Sequence, residues 1–72
     1  MLHAETIIEV ESEPEYRWRV VLTNDIAAYI FDYRALSEWL HENMDYEWKI
    51  ANKNSLGFCS HSDAMMFYLR FK

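Results

Sequence analysis

The sequence predicts an α+β domain built as a small, mainly antiparallel sheet with helices on one face. Two segments rich in Ile and Val flank a proline-containing turn, apolar residues recur at helical spacing in the middle of the chain, and a second alternating segment precedes an asparagine-rich turn. The chain has 72 residues, one glycine, one proline and no internal repeat. We therefore expect a single domain over residues 1–72.

The amino-terminal part predicts a β-hairpin. Thr6–Glu11 and Tyr16–Thr23 have strand composition, and Glu13-Pro14-Glu15 suits a three-residue loop. This loop would place glutamates opposite arginines and apolar residues opposite apolar residues: Glu11–Arg17, Glu9–Arg19, Ile7–Val21, Val10–Trp18 and Ile8–Val20. Slipping by one residue would set Glu9 against Trp18, so pairing and burial both favour the first register. Glu13 and Glu15 would then lack a partner.

The following segment allows two interpretations. If Thr23-Asn24-Asp25 is a turn, it leads into a third strand, Ile26–Phe31, and Asp32 caps the next helix. If it is a cap, one helix runs over Ile26–Asn43. We favour the strand because Asp32 would have no role inside a helix. Tyr33–Asn43 is helical either way, and its apolar face consists of Tyr33, Leu36, Trp39 and Leu40.

A second hairpin and a short helix complete the predicted fold. Tyr46, Trp48 and Ile50 alternate with other residues, as in a half-buried strand, and the turn Asn52–Ser55 leads to the partner strand Leu56–Ser60. Ser62 can cap a helix that begins at Asp63, whose charge suits the amino-terminal end of the helix dipole. The last four residues, Leu69–Lys72, fit either a helical or an extended conformation.

The charge distribution argues against nucleic acid as a partner. Net charge is −5, and residues 1–16 contain five glutamates but no lysine or arginine. Such a surface repels phosphate and attracts basic proteins. Arg17, Trp18 and Arg19 could stack on RNA, but we expect Trp18 in the core and the arginines paired with glutamates. No leader or membrane segment is apparent, and the single cysteine fits a cytoplasmic location.

Nothing in the sequence favours catalysis, a metal or a cofactor. Cys59, His61 and Asp63 lie close together, but no oxyanion-hole glycine accompanies them, and we expect Cys59 to be a small buried apolar group. His3 and His41 share no metal-ligand spacing with each other or with His61. We therefore predict a protein that is not an enzyme.

The aromatic content points to a protein-binding surface. Twelve aromatic residues and four methionines exceed what a core of this size hides. We predict a binding module whose partner offers a basic surface, through two groups of residues: the acidic strip Glu9, Glu11, Glu13 and Glu15, and the aromatic residues Trp39, Trp48 and Tyr68. The alternatives are a homo-oligomeric structural or assembly protein and, against the charge, a nucleic-acid binder. In either protein-binding case we expect a homo-oligomer.

The carboxyl-terminal stretch Ser62–Phe71 follows a Trp-Leu helix and an aromatic hairpin, and it resembles the ends of small accessory proteins of tailed bacteriophages. In those proteins an Asp-Ala start leads to a Leu-Arg-aromatic finish, with a lysine where Tyr68 stands here. The resemblance covers about a third of the chain and leaves the first hairpin unmatched. It implies a phage-encoded protein that acts in the host cytoplasm by binding a host protein, and it assigns no functional residues.

Overall fold

Four antiparallel strands and two helices make up the described parts of the chain. The computed structural model describes residues 2–23 and 33–72. The elements are β1 (Ala4–Glu9), β2 (Trp18–Leu22), α1 (Tyr33–Asn43), β3 (Trp48–Asn52), β4 (Ser55–Phe58) and α2 (His61–Phe71). The strand order is β1-β2-β4-β3. The predicted α+β class is thus confirmed, as is the helix over residues 33–43. The alternatives for residues 26–31 lie outside the described residues.

The register predicted for the first hairpin is wrong by one residue. Glu9 lies opposite Trp18 and Ile7 opposite Val20. The reason is the loop, which is longer than three residues. Pro14–Tyr16 forms a 3-10 turn, and the Val10 N–H donates to the Arg17 carbonyl at 2.7 Å, which closes the hairpin before this turn begins. Proline suits the first position of such a turn because its φ is already fixed.

The slipped register decides which apolar side chains are buried. Val20 and Leu22 are fully covered, and Ile7, opposite Val20, packs against the core. Ile8 points to the other face and is 43% exposed. Ile7 thus takes the position beside Val20 that the predicted register assigned to Ile8, because a slip of one residue exchanges the faces of the strand.

Both helices contribute to one core. The sheet provides Val20, Leu22, Leu56 and Phe58, α1 provides Leu36 and Leu40, and α2 provides Ala64 and Phe67. Trp39 joins the helices, with its ring centroid 6.0 Å from that of Phe67 and 5.5 Å from that of Phe71. Edge-to-face packing of this kind adds to the gain from burial. Leu36 and Leu40 therefore form the buried side of α1, as the helical spacing predicts.

The start of α2 differs from the prediction. Ser60, rather than Ser62, is the N-cap, and its Oγ accepts from the Asp63 N–H at 3.4 Å. The helix continues to Phe71, so the extended alternative for the last residues is wrong. None of the helices in residues 2–23 and 33–72 has the length and apolar character needed to cross a bilayer.

Candidate functional site

An open groove lies where α1, the start of β3 and the first hairpin loop meet. Its volume is about 820 Å³. It is lined by Tyr16, Leu40, His41, Met44, Asp45, Tyr46, Glu47, Trp48 and Cys59. Leu40 is buried and closes the base of the groove, whereas Tyr46 is 63% exposed at its rim. The groove therefore combines an apolar base with a polar, accessible rim.

A buried carboxylate holds the segment that forms one wall. Asp63 is 1% exposed, and its two carboxylate oxygens accept hydrogen bonds from the backbone N–H groups of Asp45 at 3.2 Å and Tyr46 at 2.9 Å. A buried carboxylate needs such donors to offset the loss of water. Asp63 thereby fixes the chain between α1 and β3 to the first turn of α2.

Tyr16 forms the opposite wall by packing against Gly57. A Cβ built on Gly57 would lie 3.2 Å from the Tyr16 Cβ, a spacing tighter than an ordinary contact, so a side chain there would require Tyr16 to move by a few tenths of an ångström. The Tyr16 hydroxyl donates to Glu47 Oε2 at 3.2 Å, and the Lys49 ammonium lies 4.8 Å from the centre of the Tyr16 ring. The absent side chain at Gly57 therefore lets the hairpin loop reach the groove.

The electrostatic surroundings of Tyr16 are negative. Desolvation raises the pKa of the Tyr16 hydroxyl above its ordinary value, and the hydrogen bond to Glu47 and the charges of Glu47 and Glu15 raise the pKa further. Asp45 and Glu47 are both exposed, and the side chains that line the groove include no lysine or arginine. A cation entering the groove would thus meet carboxylates without a lysine or arginine among the lining side chains.

The acidic strip predicted from the sequence is largely paired within the molecule. Glu9 binds Arg17 at 2.8 Å. The expectation that Glu13 lacks a partner is wrong, since its carboxylate binds Arg19 at 2.6 Å and Lys49 at 3.4 Å. Only Glu11 and Glu15 of the strip have no ion pair among the residues that the structure describes.

The three aromatic residues proposed for the partner surface lie in different places. Trp48 lines the groove, and its ring lies 5.8 Å from that of His41. Trp39 and Tyr68 are half-buried and pack against the core outside the groove lining. One of the three aromatic residues proposed from the sequence therefore lies in the groove.

Cys59, His61 and Asp63, which lie close together in the sequence but are not expected to be catalytic, have separate surroundings. Cys59 is exposed, so the prediction of a buried thiol is wrong. The His61 ring lies 4.4 Å from the Trp18 ring, and the Asp63 carboxylate is bound to backbone N–H groups. Two of the three groups are thus engaged elsewhere. Within the described ranges no three His, Cys, Asp or Glu side chains are grouped so as to hold a metal ion.

Sequence reasoning missed most of the groove. The signal that could have revealed part of it is Asp45-Tyr46-Glu47-Trp48, where acidic and aromatic residues alternate directly after a helix. Tyr16 and Cys59 carry no such local signal, because the pairing of β2 with β4 and the bond from the Cys59 N–H to the Glu47 carbonyl at 3.1 Å bring them to the groove.

Comparison with known proteins gives no match to a protein-family model, a curated protein or a solved structure. Function is therefore inferred from the groove and the surfaces around it.

Proposed function

We propose that this protein is a non-enzymatic protein-binding module whose groove receives a basic segment of its partner. One observation carries the proposal: an open groove of about 820 Å³ has aromatic walls and exposed carboxylates, with no lysine or arginine in its lining. Tyrosine and tryptophan are enriched at the energetic centres of protein interfaces. Carboxylates at a rim attract and orient a basic partner.

The shape of the groove supports a protein segment as its occupant. The groove is open to solvent, whereas a site for a small molecule buries most of its ligand. An exposed Tyr46 at the rim and a buried Leu40 at the base resemble the polar rim and apolar centre of an interface. The resemblance to phage accessory proteins extends the proposal: the partner would be a host protein met in the cytoplasm.

The test compares two variants in a capture experiment. The tagged protein is used to retain partners from bacterial lysate, and each retained protein is purified and its affinity measured. Replacing Asp45 and Glu47 together by Asn and Gln should weaken binding by about tenfold or more and reduce its salt dependence. Glu5→Gln removes an exposed charge outside the groove and is the matched control.

Equal affinity of the groove variant and the wild type, with both folded by circular dichroism, would contradict the proposal. Loss of affinity in Glu5→Gln to the same extent would also contradict it, because the effect would then follow net charge rather than the groove.

Self-association is a second candidate function, favoured by a different surface. Met65, Met66 and Leu69 form an apolar outer side of α2 and are 36%, 41% and 55% exposed. Methionine and leucine at helical spacing suit helix-to-helix packing between copies. This surface is separate from the groove lining, so the two functions are compatible.

A further inference from the structure

We infer that the groove takes the side chain of a partner arginine, with its guanidinium lying against the aromatic wall and bound by Asp45 and Glu47. The inference rests on the proposed function and specifies the group that is recognised. Its elements are an aromatic surface for the cation, carboxylates that accept its hydrogen bonds, and the lack of a lysine or arginine in the groove lining.

The protein already binds one of its own cations to the aromatic wall. The Lys49 ammonium lies 4.8 Å from the centre of the Tyr16 ring, within the distance at which a ring attracts a cation. Its charge is balanced by Glu13, whose Oε1 lies 3.4 Å away. Tyr16 also lines the groove, together with Trp48 and Tyr46, which offer further ring surface.

The carboxylates of the groove remain available to a ligand. Asp45 and Glu47 form no ion pair with any other described residue, and Glu47 accepts one hydrogen bond, from the Tyr16 hydroxyl at 3.2 Å. A carboxylate accepts about four hydrogen bonds. The raised pKa of Tyr16 agrees with this negative environment, because Glu47 and Glu15 both contribute to it.

Arginine suits this arrangement better than lysine. A guanidinium is planar, stacks on an aromatic ring and donates parallel hydrogen bonds to a carboxylate, whereas an ammonium is compact and strongly hydrated. Entry into the groove removes part of the water around the cation, which costs the more weakly hydrated guanidinium less than the ammonium. The side chain expected to enter is therefore that of arginine.

The test uses small probes of one side chain each. Nα-acetyl-arginine amide, Nα-acetyl-lysine amide and Nα-acetyl-citrulline amide are titrated into ¹⁵N-labelled protein, and the indole N–H signals are followed. Citrulline has nearly the shape of arginine without its charge. We expect a saturable shift of the Trp48 indole signal with the arginine probe and no comparable shift of the Trp39 signal. The affinity for the citrulline probe should be lower by about tenfold or more.

Variants and a second readout locate the bound cation. Glu47→Gln should weaken binding of the arginine probe, whereas Glu5→Gln should leave it unchanged. Cys59 is exposed and lines the same groove, so bound arginine should also slow the reaction of its thiol with a disulfide reagent. Citrulline should not slow it.

Three results would overturn the inference: equal shifts with citrulline, tighter binding of the lysine probe, or unchanged binding in Glu47→Gln. If the arginine probe fails while substitution of Asp45 and Glu47 abolishes partner binding, the occupant is a different group and the proposed function stands. If the arginine probe binds but the affinity for the partner is unchanged by the substitutions of Asp45 and Glu47, the proposed function is wrong.

Discussion

Glu13 shows how one side chain can link three parts of the molecule. On the face away from α2, Gly57 of β4 lies between Arg19 of β2 and Lys49 of β3. The Glu13 carboxylate spans this gap and binds both cations, at 2.6 and 3.4 Å. The side chains of Arg19 and Lys49 are only 20% and 39% exposed, so water screens these pairs less than a fully exposed pair. Glu13 therefore stabilises the fold.

We predict that Glu13→Gln lowers the free energy of unfolding by about 1 kcal/mol, because two partly covered ion pairs are lost while the side-chain shape is kept. Glu15→Gln is the matched control, with an expected change below about 0.5 kcal/mol. Urea denaturation measures both. Equal stability of the two variants would show that Glu13 contributes no more than an exposed charge.

Tyr16 gives the fold a dependence on alkaline pH. Since the pKa of its hydroxyl is raised in the folded protein, the neutral form is favoured by folding. The resulting stability is complete below the ordinary tyrosine pKa of about 10 and is lost as pH rises through the folded value. Tyr16→Phe should therefore lose stability less steeply than the wild type above pH of about 10. Denaturation across an alkaline pH series measures the difference, and parallel curves would contradict it.

At the scale of elements, the first turn of α2 has two roles. Ser60 caps the helix, while Asp63 turns its carboxylate toward the chain before β3 instead of back to the cap. A Ser followed three residues later by an acid usually forms a reciprocal capping pair. Here the acid instead holds the wall of the groove, so the end of a helix also organises the candidate site.

The two serines of this turn permit a direct test. Ser60→Ala should lower the free energy of unfolding by about 1 kcal/mol, because the cap is lost. Ser62→Ala should change it by less than about 0.5 kcal/mol, since this exposed serine lies within the helix. Thermal or urea denaturation distinguishes them. A larger effect of Ser62→Ala would support the cap predicted from the sequence.

At the scale of the whole molecule, fewer of the described aromatic residues are exposed than composition suggests. Phe58 and Phe67 are fully buried, and the three tryptophans are half-buried against the core. The large apolar side chains that remain exposed in the described residues are Ile8, Tyr46, Ile50, Met65, Met66 and Leu69. Three of them share one side of α2, which makes this helix the first place to test for self-association.

We predict that the protein forms dimers or higher oligomers at micromolar concentration and that Leu69→Glu shifts it toward the monomer, because a charge would be buried in the contact between copies. Ile8→Thr, on another exposed apolar residue, is the control. Sedimentation velocity over a concentration series measures the distribution. A wild-type monomer throughout, or an equal shift in both variants, would remove α2 as an interface.

The net charge of the whole protein also leads us to predict no appreciable binding to duplex DNA or RNA at moderate salt. Net charge is −5, and the two arginines beside Trp18 are each paired with a glutamate. Little counterion release is then available to drive association. Fluorescence anisotropy with labelled oligonucleotides measures their binding to the protein. An affinity that falls steeply with salt would contradict the prediction.

The sequence by itself determined the order of hairpin, helix, hairpin and helix in the described residues, and it located the carboxyl end of α1 at Asn43. These features depend on local patterns: alternation for strands and helical spacing for Leu36 and Leu40. It also placed the excess negative charge in the first hairpin. All of these features follow from residues that are close to one another in the sequence.

Only the tertiary structure decided the register of the first hairpin, the role of Glu13, the exposure of Cys59 and the composition of the groove. The contacts responsible join distant residues: Tyr16 and Glu47 are 31 positions apart, and Glu13 and Lys49 are 36 apart. Charge pairing and alternation within the hairpin favoured one register, whereas the observed register places Ile7 instead of Ile8 beside Val20 on the face that packs against the core. Burial of apolar surface outweighs exposed ion pairs in energy, and which surface is buried depends on elements far along the chain.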